Sequence, residues 1–456
     1  MMTASSPSNG VQNTPDSLAY SPVNTSPQTP SVMNRISRNP KIIVLLSVLL
    51  LMLAILCSLI VVLVLESTKA PYQGQCVGSH RSPTATLTYG NEDLSMRMYL
   101  AVKDQYQNVS LIMSALSLGS LMAMASLGAQ EPTTSELRNA MSLPCSEDLL
   151  IRAYQTLNEN FHSDENVTLT MVQRIFLNNA YTIRESFRAK AASAFDAILV
   201  NMDFGPGLEA RDQINRLIAV QTNQKISDLL APGSIQAHTK LVMVNAVYFK
   251  GRWALAFDPI NTQLLDFFPE DVYPGQKVHF MRSEDTYAIG RVPGLDARLL
   301  KLPYAGGRLA MYLVLPNKSD PLSVIEENMP GHLNLLNLDG YLENRLVAIS
   351  LPKFQIELRM DLVPAMINLG ASGMFHPGSA NFSGISRSQI HVDQVVQKAF
   401  IEVNEDGTEA AAATGANFRA IEAEVPEPFD CNRPFLFLIK DLTTGVTIFF
   451  GRYMSP

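Results

Sequence analysis

The chain has 456 residues, 47% of them hydrophobic, and 35 Lys and Arg against 42 Asp and Glu give a net charge of −7. That apolar content supplies a large core, and the mildly acidic balance excludes the electrostatic footprint of a nucleic-acid binder. Residues 1–41 are rich in Ser, Thr, Pro and Asn, and this composition predicts a disordered tail. Ile42–Leu65 is then almost uninterrupted apolar sequence with no charge, long enough to span a bilayer. Arg35, Arg38 and Lys41 precede it, while Glu66 and Lys69 follow. The basic bias predicts a single-pass, type II signal anchor over 42–65, with a cytoplasmic tail and the rest of the chain extracellular or luminal. A cleaved signal peptide is the rival, but its apolar region is normally shorter and nearer the start. Residues 66–88 read as a stem.

From residue 89 onward the pattern is that of one α+β domain. Leu94, Met98, Leu100 and Val102 predict a first helix after Asn91-Glu92-Asp93, and Leu111–Ala129 predicts a buried helix. Leu346–Phe354 and Phe435–Ile439 predict buried strands. There is no G-x-S-x-G elbow, no H-E-x-x-H and no P-loop, and the seven histidines are scattered. The reading is therefore not an enzyme, with no catalytic residue, no metal site and no cofactor. Of the four cysteines, Cys57 lies in the apolar run. Cys76 is free to join Cys145 or a second chain, and Cys431 reads as a packed thiol. Asn108, Asn166, Asn317 and Asn381 each open an N-x-Ser/Thr sequon. They are glycosylation candidates on a luminal domain, with Asn166 and Asn317 preferred because the other two fall at structural landmarks.

The most informative stretch lies near the C-terminus. After Glu405 come Asp406, Gly407, Thr408, Glu409, Ala410, Ala411, Ala412, Ala413 and Thr414. Four alanines favour a helix by propensity. Read at period two, Thr408, Ala410, Ala412 and Thr414 share one strand face that is small and uncharged, with Glu409 opposite. Such a face can enter a packed layer without a clash or a buried charge, so the segment reads as a bistable element.

This stretch resembles the hinge of the inhibitory serpins, and other motifs agree. They are Phe429-Asp430-Cys431-Asn432-Arg433-Pro434-Phe435, Leu241 to Trp253, Ser126-Leu127-Gly128-Ala129, Asn381-Phe382-Ser383-Gly384-Ile385 and the ending Phe450-Gly451-Arg452. Together they cover about 90–456, which places a serpin domain at 89–456. The resemblance implies helices packed on three β-sheets with an exposed reactive-centre loop at about Gly407–Phe429. It implies suicide inhibition of a serine, or secondarily a cysteine, endopeptidase. The enzyme would cleave the loop, and the freed hinge would enter the central sheet with the acyl-enzyme attached. Family spacing puts the reactive bond at Ile421–Glu422, with Arg419–Ala420 as the alternative. Ser117, Asn245 and Trp253 match positions where the sheet opens. Gln397 stands where serpins commonly carry His, which removes a titratable group. The stretch 146–165, with Arg152 among several acids, disfavours heparin activation. The alternative from another class is a non-inhibitory serpin-fold chaperone, carrier or adhesion ectodomain.

Overall fold

The computed structural model describes residues 74–456 apart from 81, 161–162, 196–197, 270–273, 318–320 and 406–424. Of the first 73 residues it describes Lys41, Val44, Leu45, 47–56 and Ser58, all helical. Among the described residues no helix is long and apolar enough to cross a membrane. The expectation of a type II membrane protein anchored through 42–65 is corrected on that ground.

The domain opens with α1 (Pro83–Lys103), inside the stretch read as a stem. Ser82 is its N-cap, accepting a hydrogen bond from the Ala85 N–H, and Pro83 sits at the first helical position. Next comes β1 (Leu111–Met113), so the helix expected over Leu111–Ala129 is instead a strand and then a helix. The β1 strand pairs with the C-terminal strand through Met113↔Phe450. Ser114 then caps α2 (Ala115–Leu127), which is buried on every face. The chain continues through α3 (Thr133–Ala140), α4 (Glu147–Asn160), β2 (Val167–Asn178), α5 (Glu185–Phe195), β3 (Ile198–Met202), α6 (Gly207–Gln221) and β4 (Leu241–Gly251). Then follow β5 (Gln263–Phe267), β6 (Gln276–Arg291), β7 (Ala297–Pro303), β8 (Leu309–Pro316), α7 (Leu322–His332), β9 (Leu342–Pro352), β10 (Phe354–Asp361) and α8 (Val363–Asn368). The last elements are β11 (Gln394–Val403), β12 (Glu427–Asp430), β13 (Phe435–Asp441) and β14 (Thr447–Tyr453). The strands expected at Leu346–Phe354 and Phe435–Ile439 are the bodies of β9 and β13.

Among the described residues the strands pair into two sheets. The five-stranded one has the order β10-β11-β4-β2-β3. The nine-stranded one has two halves that share β6 and β9. The start of β6 pairs β5 and its end pairs β7, while β9 pairs β6 from Phe280 to Gly290 and carries β12 on its outer edge. The second and third sheets implied by the resemblance are therefore one hydrogen-bonded surface here, and the α+β architecture stands.

The main core lies between α1, α2 and the two sheets. A second cluster lies on the outer face of the five-stranded sheet, where Ala210, Ile214 and Ile218 of α6 cover Val172, Val244, Val396 and Phe400. Two sequence landmarks meet at the end of α2. A Cβ on Gly384 would lie 2.7 Å from the Gly128 carbonyl oxygen, so only glycine permits that approach.

Candidate functional site

The seam between β4 and β11 is the centre of the site. The two strands are parallel, with Gln394↔Val242 and Ile401↔Phe249 at the ends of the ladder. Halfway along, Gln173, Asn245 and Gln397 stand opposite one another on β2, β4 and β11. Gln397 Oε1 accepts from the Ser114 N–H at 2.9 Å, and Gln397 Nε2 donates to the Ser114 carbonyl and to Asn245 Oδ1, both at 2.9 Å. Asn245 Nδ2 donates to Ser117 Oγ at 2.6 Å, and Gln173 Nε2 donates to the same hydroxyl at 3.1 Å. Gln397, Asn245 and Ser117 are fully buried. Parting the strands breaks this network inside a low-dielectric interior, where an unmade hydrogen bond is costly. The structure thus brings together three residues singled out in the sequence, Ser117, Asn245 and Gln397. It adds Ser114, the N-cap of α2, and Gln173 on β2, which meet Gln397 and Ser117 only through the fold and leave no local pattern in the sequence.

Trp253 lies at the end of the same seam. Its indole stacks on Tyr304, with ring centroids 4.5 Å apart, and Nε1 donates to the Asn404 carbonyl at 2.9 Å. One residue on, the Glu405 carbonyl accepts from the Phe257 N–H at 3.0 Å. The Glu405 carboxylate takes Lys353 Nζ at 2.7 Å and Thr262 Oγ1 at 2.7 Å. Burial alone would raise this carboxyl. The hydrogen bonds from Lys353, Thr262 and its own backbone, with the Lys353 charge, outweigh burial and hold it below the ordinary glutamate value. Glu405 is therefore a fixed post from which the following segment departs, and the Lys353 and Thr262 partners had no signature in the sequence.

The far end of the seam is tied differently. Asp393, just before β11, accepts from the Lys240 and Leu241 N–H groups at 2.8 and 3.0 Å at the start of β4. Across the outer face, the connection that follows α6 is pinned by Arg359, whose Nε donates to the Leu229 carbonyl at 2.6 Å. Lys398 bridges Glu357 at 2.6 Å and the Asp228 carbonyl at 3.4 Å. This strap and α6 together cover the seam.

The hinge residues Gly407, Thr408, Glu409, Ala410, Ala411, Ala412, Ala413 and Thr414 lie outside the described residues, as do both candidate bonds, Ile421–Glu422 and Arg419–Ala420. Cys76 and Cys145 form a disulfide, Cα–Cα 4.9 Å, so the chain resolves the open pairing internally. The bond secures a short segment already held by Val77 N–H to the Leu143 carbonyl at 2.8 Å. Cys431 is a buried free thiol whose pKa burial raises. Asn108 is exposed, because it sits at a left-handed turn after α1, φ 56°. Asn166, Asn317 and Asn381 are half-buried, and the Asn317 and Asn381 amides are engaged by Asp296 and the Glu131 carbonyl.

Comparison with known proteins agrees with this arrangement. The profile of the family described as serpin (serine protease inhibitor) matches residues 89–456. The chain is 32% identical over 367 residues to a leukocyte elastase inhibitor of Xenopus laevis, covering 79% of this chain and 96% of that protein. It is 32% identical over 360 residues to Serpin B6 of Pongo abelii, covering 78% and 95%. Among solved structures, Serpin48 of the insect Tenebrio molitor, titled a highly specific serpin, superposes with a TM-score of 0.73 at 27% identity, covering 83% of this chain and all of that one. With a parallel seam, a buried amide lock and a fixed departure post in one matched domain, the chain belongs to the serpin family.

Proposed function

We propose that this serpin is a suicide inhibitor of serine endopeptidases, trapping the acyl-enzyme by inserting its cleaved loop between β4 and β11. The observation that carries this reading is the parallel pairing of those two strands at the point from which the loop leaves. Residues 406–420, turned back from Glu405 and laid into the seam, run antiparallel to both neighbours. One parallel ladder becomes two antiparallel ladders, each slightly more stable per residue, and every interior backbone group of the new strand gains a partner. Strand addition of this kind needs small, uncharged side chains on the face that turns to the core, which Thr408, Ala410, Ala412 and Thr414 supply.

The trapping step follows from length. The peptidase serine attacks the carbonyl of the residue before the bond, the new N-terminus leaves, and an ester joins enzyme and loop. Insertion then carries that ester along the sheet before water cleaves it. Cleavage after Ile421 gives a longer arm than cleavage after Arg419, by about 7 Å at 3.3 Å per residue. The relatives named for inhibiting an elastase fit a branched aliphatic before the bond. Ile421 is the assignment, with Arg419 as the site at which trypsin-like enzymes cut and escape.

Incubation of the full chain with a panel of serine and cysteine peptidases tests this. The expected result is an SDS-stable complex and a released C-terminal peptide beginning at Glu422. Complete turnover of the loop by every enzyme, with no such complex, contradicts inhibition and favours a non-inhibitory serpin. A stable complex releasing a peptide that begins at Ala420 makes Arg419 the specificity residue.

A further inference from the structure

The disulfide at the start of the domain is open to solvent. Cys145 is exposed, Cys76 is half-buried, and no residue of the segment 74–80 is fully buried. Beside the covalent bond, backbone hydrogen bonds hold this segment to the turn between α3 and α4. The Cys76 N–H donates to Asn139 Oδ1 at 3.0 Å, and the Val77 N–H donates to the Leu143 carbonyl at 2.8 Å. The Cys145 N–H returns to the Val77 carbonyl at 3.0 Å. Hydrogen bonds at an exposed edge, with no buried apolar anchor, do not outweigh the entropy of ordering the segment. The covalent bond is what keeps it docked.

The surface beneath is shaped for close approach. A Cβ on buried Gly90 of α1 would fall 2.1 Å from the Ser142 carbonyl oxygen and 3.2 Å from a Val77 methyl. Gly74 lies against the Arg97 guanidinium, where a Cβ would come within 2.4 Å. Arg97 is 4% exposed; its Nε bridges Asp93 at 2.7 Å, Nη1 donates to the Ala140 carbonyl at 3.0 Å, and Nη2 donates to the Ser142 hydroxyl. Ser142 has φ 47°, a left-handed conformation that Arg97 and Asp93 stabilise through its hydroxyl. The segment is therefore a cover over a buried guanidinium, fastened by a bond that solvent reaches.

We infer that the Cys76–Cys145 bond is a redox latch for this segment, opened by a low-molecular-weight thiol, with Cys145 as the site of S-thiolation. The thiolate of the small thiol attacks the exposed Cys145 Sγ. A bond forms between those two sulfurs, the bond between the two cysteines breaks, and Cys76 leaves as a thiolate that takes a proton from water. A second small thiolate then attacks the small-molecule sulfur of the mixed disulfide. It releases Cys145 as a thiolate and leaves the small thiol as its disulfide, so two thiols supply the two electrons. Once Cys76 is free, segment 74–80 leaves the turn and uncovers Arg97. The seam between β4 and β11 takes no part in the latch, so the switch acts independently of protease inhibition.

The test titrates the folded full chain, without denaturant, with mixtures of reduced and oxidised glutathione. Peptide mass mapping locates the mixed disulfide, and hydrogen exchange follows the backbone amides. The expected result is glutathione on Cys145, none on Cys431, and at least tenfold faster exchange at Val77 and Cys145 with unchanged exchange at Gln397. Cys76→Ser, which cannot close the bond, should show the same fast exchange at Val77 and Cys145 with no thiol present. A bond that opens only when the Gln397 amide also exchanges overturns the latch. An open bond with Val77 and Cys145 still protected overturns the release of the segment. A mixed disulfide on Cys76 in place of Cys145 overturns the assignment of the modified sulfur.

Discussion

At the scale of single residues, Gln397 is the clearest departure from the usual serpin pattern, and the structure shows what the departure does. An amide satisfies both the N–H and the carbonyl of Ser114 and still reaches Asn245, which no single tautomer of a neutral imidazole can do with its one donor and one acceptor. Replacing it by Leu takes from the Ser114 N–H and Asn245 Oδ1 the partner that Gln397 supplies, while the Ser114 carbonyl keeps the Leu118 N–H, and chemical denaturation should show a loss of roughly 2–5 kcal/mol. Replacing it by His introduces a group that titrates near neutral pH. Sheet opening, followed by loop-peptide uptake, should then vary between about pH 5 and 8 in Gln397→His and stay flat in the wild type. Glu405 sets a second pH effect. Its carboxyl is held below the ordinary value, so its contribution is fully present above about pH 4.3 and fades as pH falls further. Thermal unfolding between pH 3 and 6 should show this fall in the wild type, and Glu405→Gln should lose it. The sequence announced Gln397, Asn245 and Trp253 because each sits in a recognisable strand motif. It was silent on Lys353 and Thr262, because their contact with Glu405 spans 52 and 143 residues and leaves no local pattern.

At the scale of elements, the apolar pattern found β9 and β13, because β13 is buried on both faces and β9 is buried throughout its last four residues, 349–352, while the exposed start of β9 at Glu343, Asn344 and Arg345 fell outside the expected strand. It merged β1 with α2, because Leu111-Ile112-Met113 and the helix after it are equally apolar and only the single cap residue Ser114 stands between them. Only the pairing with β14, which is tertiary, makes the first three residues a strand. The start of α1 was legible in Ser82-Pro83, an N-cap followed by a first-turn proline, but the apolar positions further on drew the boundary too late. The hinge makes the sharpest prediction at this scale. Thr408→Arg puts a charge on the face that insertion buries, at a cost of several kcal/mol. The variant should be cleaved normally and form little stable complex, as read on a denaturing gel. An unchanged complex yield counts against insertion through that face.

At the scale of the whole molecule, the fold rests on long-range pairings, and the N-terminal segment is secured by one covalent cross-link. Cys76 and Cys145 are 69 residues apart, so the bond removes loop entropy from the unfolded chain worth about 4 kcal/mol in the chain-entropy account. Denaturation with and without reductant should differ by up to that amount, while buried Cys431 should resist alkylation until the domain unfolds. The central claim is that the native sheet, with its parallel β4–β11 seam, is less stable than the sheet with a sixth strand in that seam. The most direct measurement is the thermal midpoint of the full chain before and after a single cut within 406–424. Insertion should raise the midpoint of the cut chain by at least about 10 °C. A cut chain that melts at the same temperature as the intact one, or lower, contradicts the account.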